Sequence, residues 1–331
     1  MKKLLAILLC TFCVVSLIAC GAKKEEEPAP TEAQNDCSLT ILMEQDDNMI
    51  NTYTLIAVNP DAPWVDADGN PAVNQRTTNT AGADAFIKWM LSDEGKGAIA
   101  SFGVEDFGSA LFYLSEGADV PSYKGEIAKA TDATKLIHMS TTTSVNDSGL
   151  LQYLEPIFEG AYGYDIEWES AGTGKAIASA KAGNADLVFV HAKSQEEEFV
   201  NAGFGRVVDG FTAPRLSFMY NFFVLCGPKS ASGDFANLPN VKDAFKKIAD
   251  EKLPFVSRGD KSGTHTKELS LWPEELGITD DPATYEAYQD WYISANAGMG
   301  QCLAMADQIG GFILSDKATF LTFEANGGTL K

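Results

Sequence analysis

Arg258 stands in the stretch PFVSRGDKSGTHTKEL (residues 254–269), among the hydroxyls of Ser257, Ser262, Thr264 and Thr266. Its guanidinium is a permanent charge with a fixed fork of donors, and the hydroxyls add neutral ones. Residues 254–257 read as a short buried strand, 258–263 as a polar turn and 264–272 as a helix. A strand ending in such a turn before a helix leaves backbone N–H groups unpaired at the positive end of the helix dipole. The chemistry of this combination is anion binding. A capped helix with Arg258 in a surface salt bridge accounts for the same residues.

Three further turns share the composition. Thr141, Thr142, Thr143 and Ser144 crowd one, Thr173 marks a second and Ser194 a third. Helix capping explains any one of them. Four such turns on two facing lobes, with one arginine, make a site for a small tetrahedral or carboxylate anion.

Other chemistries fit less well. GTGK (172–175) is not a phosphate loop, because Glu169 stands where the first glycine is required and Ala176 where a Ser or Thr should coordinate magnesium. The tripeptide Arg258-Gly259-Asp260 is too short to carry an adhesion function. A hydrolase lacks the G-x-S-x-G elbow, and nothing in the sequence places His191 or His265 beside a particular serine. The three histidines, His138, His191 and His265, have no partner at helical metal spacing and read as ordinary structural residues; no metal or cofactor is expected.

The elements that must position these turns follow from the apolar pattern. Strands are expected at 136–139, 164–168 and 186–190, each followed by a polar turn and a helix, the last with a capping box from Ser194 to Glu197. Apolar strands alternating with helices predict an α/β fold with a parallel sheet covered on both faces, its turns on the ligand-binding rim. A long apolar strand at 218–227 leads to a second α/β unit. That unit has helices at 241–252, from Thr264 and around 284–294, a glycine turn at 296–300, a strand at 312–314 and a helix near 317–323. Upstream, 38–60 holds two β-rich runs, 81–92 and 93–101 are helices, and 115–134 is a connection.

At 331 residues the chain is long enough for two lobes. Residues 1–19 read as a secretion signal, with Lys2 and Lys3 before the apolar run 4–18. Cys20 follows Leu17-Ile18-Ala19 as the lipidated cysteine of a bacterial lipoprotein would, and 20–36 reads as a disordered tether. Removing 1–19 takes Lys2 and Lys3 from the 25 basic residues and leaves 23 against 46 acidic, a balance of −23. Such a chain is no partner for nucleic acid. Of the six cysteines, Cys10 and Cys13 leave with the signal; Cys37, Cys226 and Cys302 allow at most one disulfide.

The segments HMSTTTSVNDSGLLQYLEPIFE, GTGKAIASAKAGNADLVFVHAKSQEEEFV, MYNFFVLCGPK, PFVSRGDKSGTHTKEL and WYISANAGMGQCLAMADQIGGFILSDKATF, spanning about 136–323, together resemble the tungstate-binding proteins of ABC importers. The resemblance implies a two-lobed periplasmic-binding-protein fold of type II, each lobe a mixed, mostly parallel sheet flanked by helices, with a two-segment hinge. It implies oxyanion contacts from Thr142, Thr143 or Ser144, from Arg258 and from Thr264; Thr173 and Ser194 are added by turn position. The function expected is an extracytoplasmic, lipid-anchored monomer that captures tungstate or molybdate for an ABC permease. Phosphate, whose proton Asp147 or Asp260 could accept, and a surface-anchored enzyme on the same fold are the alternatives.

One segment is displaced. In the family, a stretch like NTYTLIAVNP, followed by an A..F..W.LS.EG helix and a final LF, lies at the carboxyl end; here it occupies 51–114. The order is that of a circular permutation, with a truncated, rearranged chain as the alternative. Permutation predicts lobe one at 57–217, lobe two at 218–331 completed by 38–56, crossing segments near 51–60 and 214–224, and Lys331 close to Cys37.

Overall fold

Burial along β2 (Ile50–Val58) changes partway along the strand. Its first residues alternate between exposed and buried, while 53–58 are buried without interruption. A strand with one wet face alternates, and one covered on both faces does not. β2 enters the molecule from an edge and ends inside it.

The computed structural model describes residues 37–66, 68–73 and 76–329. The expected signal, Cys20, the tether and Lys331 therefore lie outside the described residues. β1 (Leu39–Met43) and β2 are followed by α1 (Thr80–Met90), α2 (Asp93–Ser101), α3 (Val104–Phe107) and β3 (Tyr113–Leu114). The strand–helix repeat comes next: β4 (Leu136–Thr142), α4 (Thr143–Asp147), α5 (Leu150–Tyr162), β5 (Asp165–Ala171), α6 (Thr173–Lys181), β6 (Leu187–Val190), α7 (Lys193–Asn201) and β7 (Gly205–Arg206). The remainder is β8 (Leu216–Pro228), α8 (Ser232–Phe235), α9 (Val241–Glu251), β9 (Phe255–Ser257), α10 (Gly263–Leu269), β10 (Tyr292–Ser294), α11 (Met299–Ile309), β11 (Ile313–Asp316) and α12 (Lys317–Ala325).

Among the described residues, nine strands join in one sheet with the path β1-β8-β2-β6-β4-β5. β4 lies parallel to both β5 and β6, with Ser140 opposite Glu169 and Val188. This is the parallel sheet that the alternating pattern predicts. The 13-residue β8 ties the molecule together. Its first half runs antiparallel to β2, with Asn51 opposite Asn221, and its second half takes β1 and β11. β9 and β10 form a separate parallel pair.

Two aromatic cores flank this framework. Phe86, Trp89 and Phe158 meet at centroid distances of 5.3–6.1 Å beneath α1 and α5. Phe245, Phe255 and Trp272 meet at 4.6–5.4 Å beneath α9. α9 buries Val241, Ala244, Phe245 and Ile248, one face at helical spacing, and Asn240 caps it by accepting from the Asp243 N–H (3.0 Å). Residues 115–134 lie along the first core, held by Tyr123 N–H to the Leu91 carbonyl (2.9 Å) and Ala130 N–H to the Tyr162 carbonyl (2.9 Å).

Two local expectations fail. Around 284–294 there is no α-helix: short 3-10 turns at 282–284 and 286–288 lead into β10, because this segment must supply the parallel partner of β9. The Ser194–Glu197 capping box is absent as well. α7 starts at Lys193 with Ala192 at its cap position, so Ser194 lies inside the first turn, and Glu197 turns to Lys193 (3.8 Å) and Arg215 (3.9 Å). The cysteines Cys37, Cys226 and Cys302 are buried free thiols.

Ser38, at the described start, is fixed to α11: its N–H and hydroxyl donate to Asp307 Oδ1 at 2.7 and 2.6 Å. Gly328, near the described end, lies against the other oxygen of the same carboxylate; a Cβ there would be 3.4 Å from Asp307 Oδ2.

Candidate functional site

β4 continues three residues beyond its expected end, so Thr142 closes the strand and Thr143 opens α4. β9 likewise delivers Arg258 directly after its last residue. These two strand ends face each other. Arg258 Nη1 donates to Thr143 Oγ1 at 3.0 Å, bridging residues 115 apart in sequence. Arg258 is 3% exposed, so this charge sits inside the molecule.

A buried charge needs a partner, and Arg258 has one: Nη2 donates to Asp260 Oδ2 at 2.5 Å. Asp260 Oδ1 in turn accepts from the Ser262 N–H at 3.1 Å. Gly259 makes this tight return with φ +62°, a left-handed conformation suited to glycine. The salt bridge that the sequence allowed for Arg258 is thus present, but buried rather than at the surface. With both terminal nitrogens engaged, its buried Nε is left without a protein partner.

Around Arg258 the hydroxyls divide into two groups. Ser262 Oγ caps α10 by accepting from the His265 N–H (3.2 Å), Ser257 Oγ accepts from the Gly259 N–H (3.2 Å), and Thr141 Oγ1 donates to the Phe189 carbonyl (2.8 Å). These serve the fold. Thr266 is exposed. Thr142, Ser144, Thr173 and Thr264 are buried at 0–2% exposure, and Thr143 is half-buried. Thr173 Oγ1 has no protein partner, although the residue is fully buried.

The opposing walls approach closely. A Cβ at Gly172, before α6, would lie 3.1 Å from Ser262 Cβ, and one at Gly263 would lie 2.6 Å from His191 Cε1. Arg258 touches the Thr142–Ser144 turn through Thr143, and Thr173 and Thr264 each directly follow one of these two glycines. Ser194 differs. It is exposed on α7 and lines a cavity of about 780 Å³ shared with Asn51, Thr54, Arg215, Gly263 and Thr266.

His191 is the residue that the sequence reading passed over. The structure places it beside a serine: its Nε2 is 3.0 Å from Ser144 Oγ, and the ring packs on Tyr53 at 4.9 Å between centroids. The pair lacks an orienting acid, because Nδ1 has no protein partner. Burial, with the Arg258 charge nearby, holds the imidazole down at about 3. A base this weak does not activate a hydroxyl at neutral pH. Gly263 and Gly172 were also unsigned, since a glycine admitting a neighbour across a cleft looks in sequence like any turn glycine.

Asp147, held as a proton acceptor in the phosphate alternative, accepts from Asn146 Nδ2 (2.9 Å), and burial raises its carboxyl while Arg258 opposes the rise. Asp260, the other such carboxylate, already has both oxygens occupied.

The model of the PBP superfamily domain matches residues 128–331. The tungstate-binding protein TupA of Peptoclostridium acidaminophilum is 44% identical over 209 residues, 62% of this chain and 68% of that protein. TupA of Campylobacter jejuni is 38% identical over 183 residues, 55% of this chain and 62% of that protein. Among solved structures, the tungstate ABC transporter from Geobacter sulfurreducens is 39% identical over 57% of this chain and 75% of that chain, with a TM-score of 0.48.

Proposed function

The chain belongs to the PBP superfamily, and we propose that it is the solute-binding component of a tungstate importer, holding the dianion between its two walls. The observation that carries this reading is the Arg258–Thr143 bridge, whose Arg258 Nε is an unpartnered buried donor; Thr173 Oγ1, at the start of α6, is another. Tungstate carries no proton at neutral pH, so its four oxygens ask only for donors, and arginine and hydroxyls supply them. The 44% identity to a tungstate-binding protein supports the same ligand. Thr142, Ser144 and Thr264 complete the set of contacts; Ser194 belongs to the approach to the site. The partner is an ABC permease, the setting extracytoplasmic, and attachment through Cys20 the anchor.

Calorimetry with tungstate, molybdate, sulfate and phosphate in parallel tests the reading. Heat of binding from tungstate, with molybdate next and phosphate absent, is expected. Tight phosphate binding with none for tungstate would overturn it.

We also propose the permuted order, with 38–56 completing lobe two. β1 pairs with one edge of the second half of β8, whose other edge takes β11, and Ser38 bonds to α11. A reordered chain starting at residue 128, with residues 37–114 placed after 329, is expected to fold and bind as the natural order does. Failure to fold favours the rearranged alternative.

A further inference from the structure

We infer that His191 is a further ligand-contacting residue, presenting its Nδ1–H to the anion held between the walls. The inference rests on the anion-binding reading above and adds a residue to it.

A chain of hydrogen bonds leads to the ring from the far side of the sheet. The Asp316 carboxylate accepts from Asn221 Nδ2 at 3.4 Å, which turns the Asn221 carbonyl toward Asn51. Asn51 Nδ2 donates to that carbonyl at 3.0 Å and to the Tyr53 hydroxyl at 2.9 Å. Having accepted there, Tyr53 donates its own proton to Ser144 Oγ at 3.2 Å. Ser144 in turn has one proton to give; His191 Nε2 lies 3.0 Å away, and Thr142 Oγ1, at 3.1 Å, can donate to the second lone pair of Ser144 and leave that proton for the ring. When Ser144 donates to Nε2, the proton of the neutral ring resides on Nδ1.

That Nδ1 is buried and has no protein partner. It faces the opposite wall, where a Cβ on Gly263 would come within 2.8 Å of it. Arg258 is near enough for its charge to help keep the imidazole neutral. A buried N–H beside an arginine is suited to an oxyanion, and leaving it unpaired is costly. The alternative tautomer would turn a lone pair toward the anion.

Nitrogen NMR of the imidazoles, with three histidines to assign, tests the tautomer in the intact protein. A protonated Nδ1 at His191 that shifts on adding tungstate is expected; an Nε2-protonated ring, or an Nδ1 resonance indifferent to saturating tungstate, would overturn the inference. Calorimetry supplies the second arm. H191Q places its amide near Nε2 and loses the Nδ1 donor, so tungstate affinity falls by about tenfold, the loss of a single hydrogen bond. H191N places an amide N–H near Nδ1 and recovers part of the loss. Equal binding by wild type and H191Q sinks this inference alone, whereas a wild-type protein that ignores tungstate sinks the site as well.

Discussion

The two walls of the site are built from different materials. The β4–α4 and α6 side offers neutral hydroxyls: Thr142 and Ser144 lie 3.1 Å apart, and Thr173 is unpartnered. The β9–α10 side offers a charge held by one carboxylate, with a second carboxyl packed behind the strand. Asp260 pairs with Arg258, and behind the strand Glu268 accepts from Trp272 Nε1 (3.0 Å) and Tyr292 OH (2.8 Å). Hydroxyls rotate to suit a ligand and do not titrate in the ordinary range. A guanidinium must be fixed in advance and neutralised, or its burial is too costly. The first wall adapts and the second is pre-organised, so damage to the second should be the greater.

The largest effect is expected from Arg258→Ala. It removes the charge-assisted contacts, worth roughly 1.5–3 kcal/mol, a ten- to hundredfold loss of tungstate affinity or more. It also leaves Asp260 facing the dianion, so R258A/D260N should bind better than R258A. Calorimetry on both variants decides, and a double variant no better than the single one would refute the compensating role of Asp260.

Next comes the contact between the walls. Gly263 has no positive φ, so alanine fits its backbone and raises helix propensity by up to about 1 kcal/mol. The added Cβ would nevertheless meet His191 Cε1 at 2.6 Å. Gly263→Ala is expected to weaken tungstate binding by about tenfold or more, while the helix propensity gained offsets part of the clash and the Tm of the ligand-free protein falls only slightly. A large fall of both would show an ordinary packing defect.

The third prediction separates the walls by pH. Burial pushes the Glu268 carboxyl from its ordinary 4.5 up to about 7. Between those values the folded protein keeps a proton that the unfolded chain has lost. Stability contributed by this group is therefore present below about 4.5 and lost as pH rises through 7. Asp316, raised to about 6 by burial, acts in the same direction. Glu268→Gln should flatten the decline of Tm between pH 5 and 8. An unchanged slope would show that Glu268 titrates normally.

The smallest effects belong to single hydroxyls. Thr264→Val should cost about 1 kcal/mol of binding, near fivefold, the worth of a neutral hydrogen bond. Ser194→Ala, at an exposed position, should leave affinity within about 0.5 kcal/mol of wild type. Calorimetry that reversed this order would move the site toward the open cavity.

Much of this was legible in the sequence, for physical reasons. A strand buried on both faces is apolar throughout, so β6 could be read from four letters, and α9 from the spacing of its buried face. The composition of the turns at 140–144 and 257–264 likewise announced donors. Which donors remain free could not be read there, because a hydroxyl that caps a helix and one that awaits a ligand are the same residue. Ser262 took the first role, while Thr173 was left without a partner.

Local chemistry fixed the types of element and the donors available; pairing across long separations decided their use. The sequence cannot state that Asp260 neutralises Arg258 rather than facing solvent, because two residues of separation permit either. It cannot show that Gly263 admits the His191 ring, since that contact joins the start of α10 to the turn after β6, 72 residues earlier in the chain. Nor can it orient His191, whose proton depends on five side chains brought into line from four parts of the chain. Periodicity and turn chemistry are properties of neighbours and survive in one dimension. Charge compensation, close approach and hydrogen-bond direction depend on which distant groups share a small, dry volume, and that is settled only by the tertiary structure.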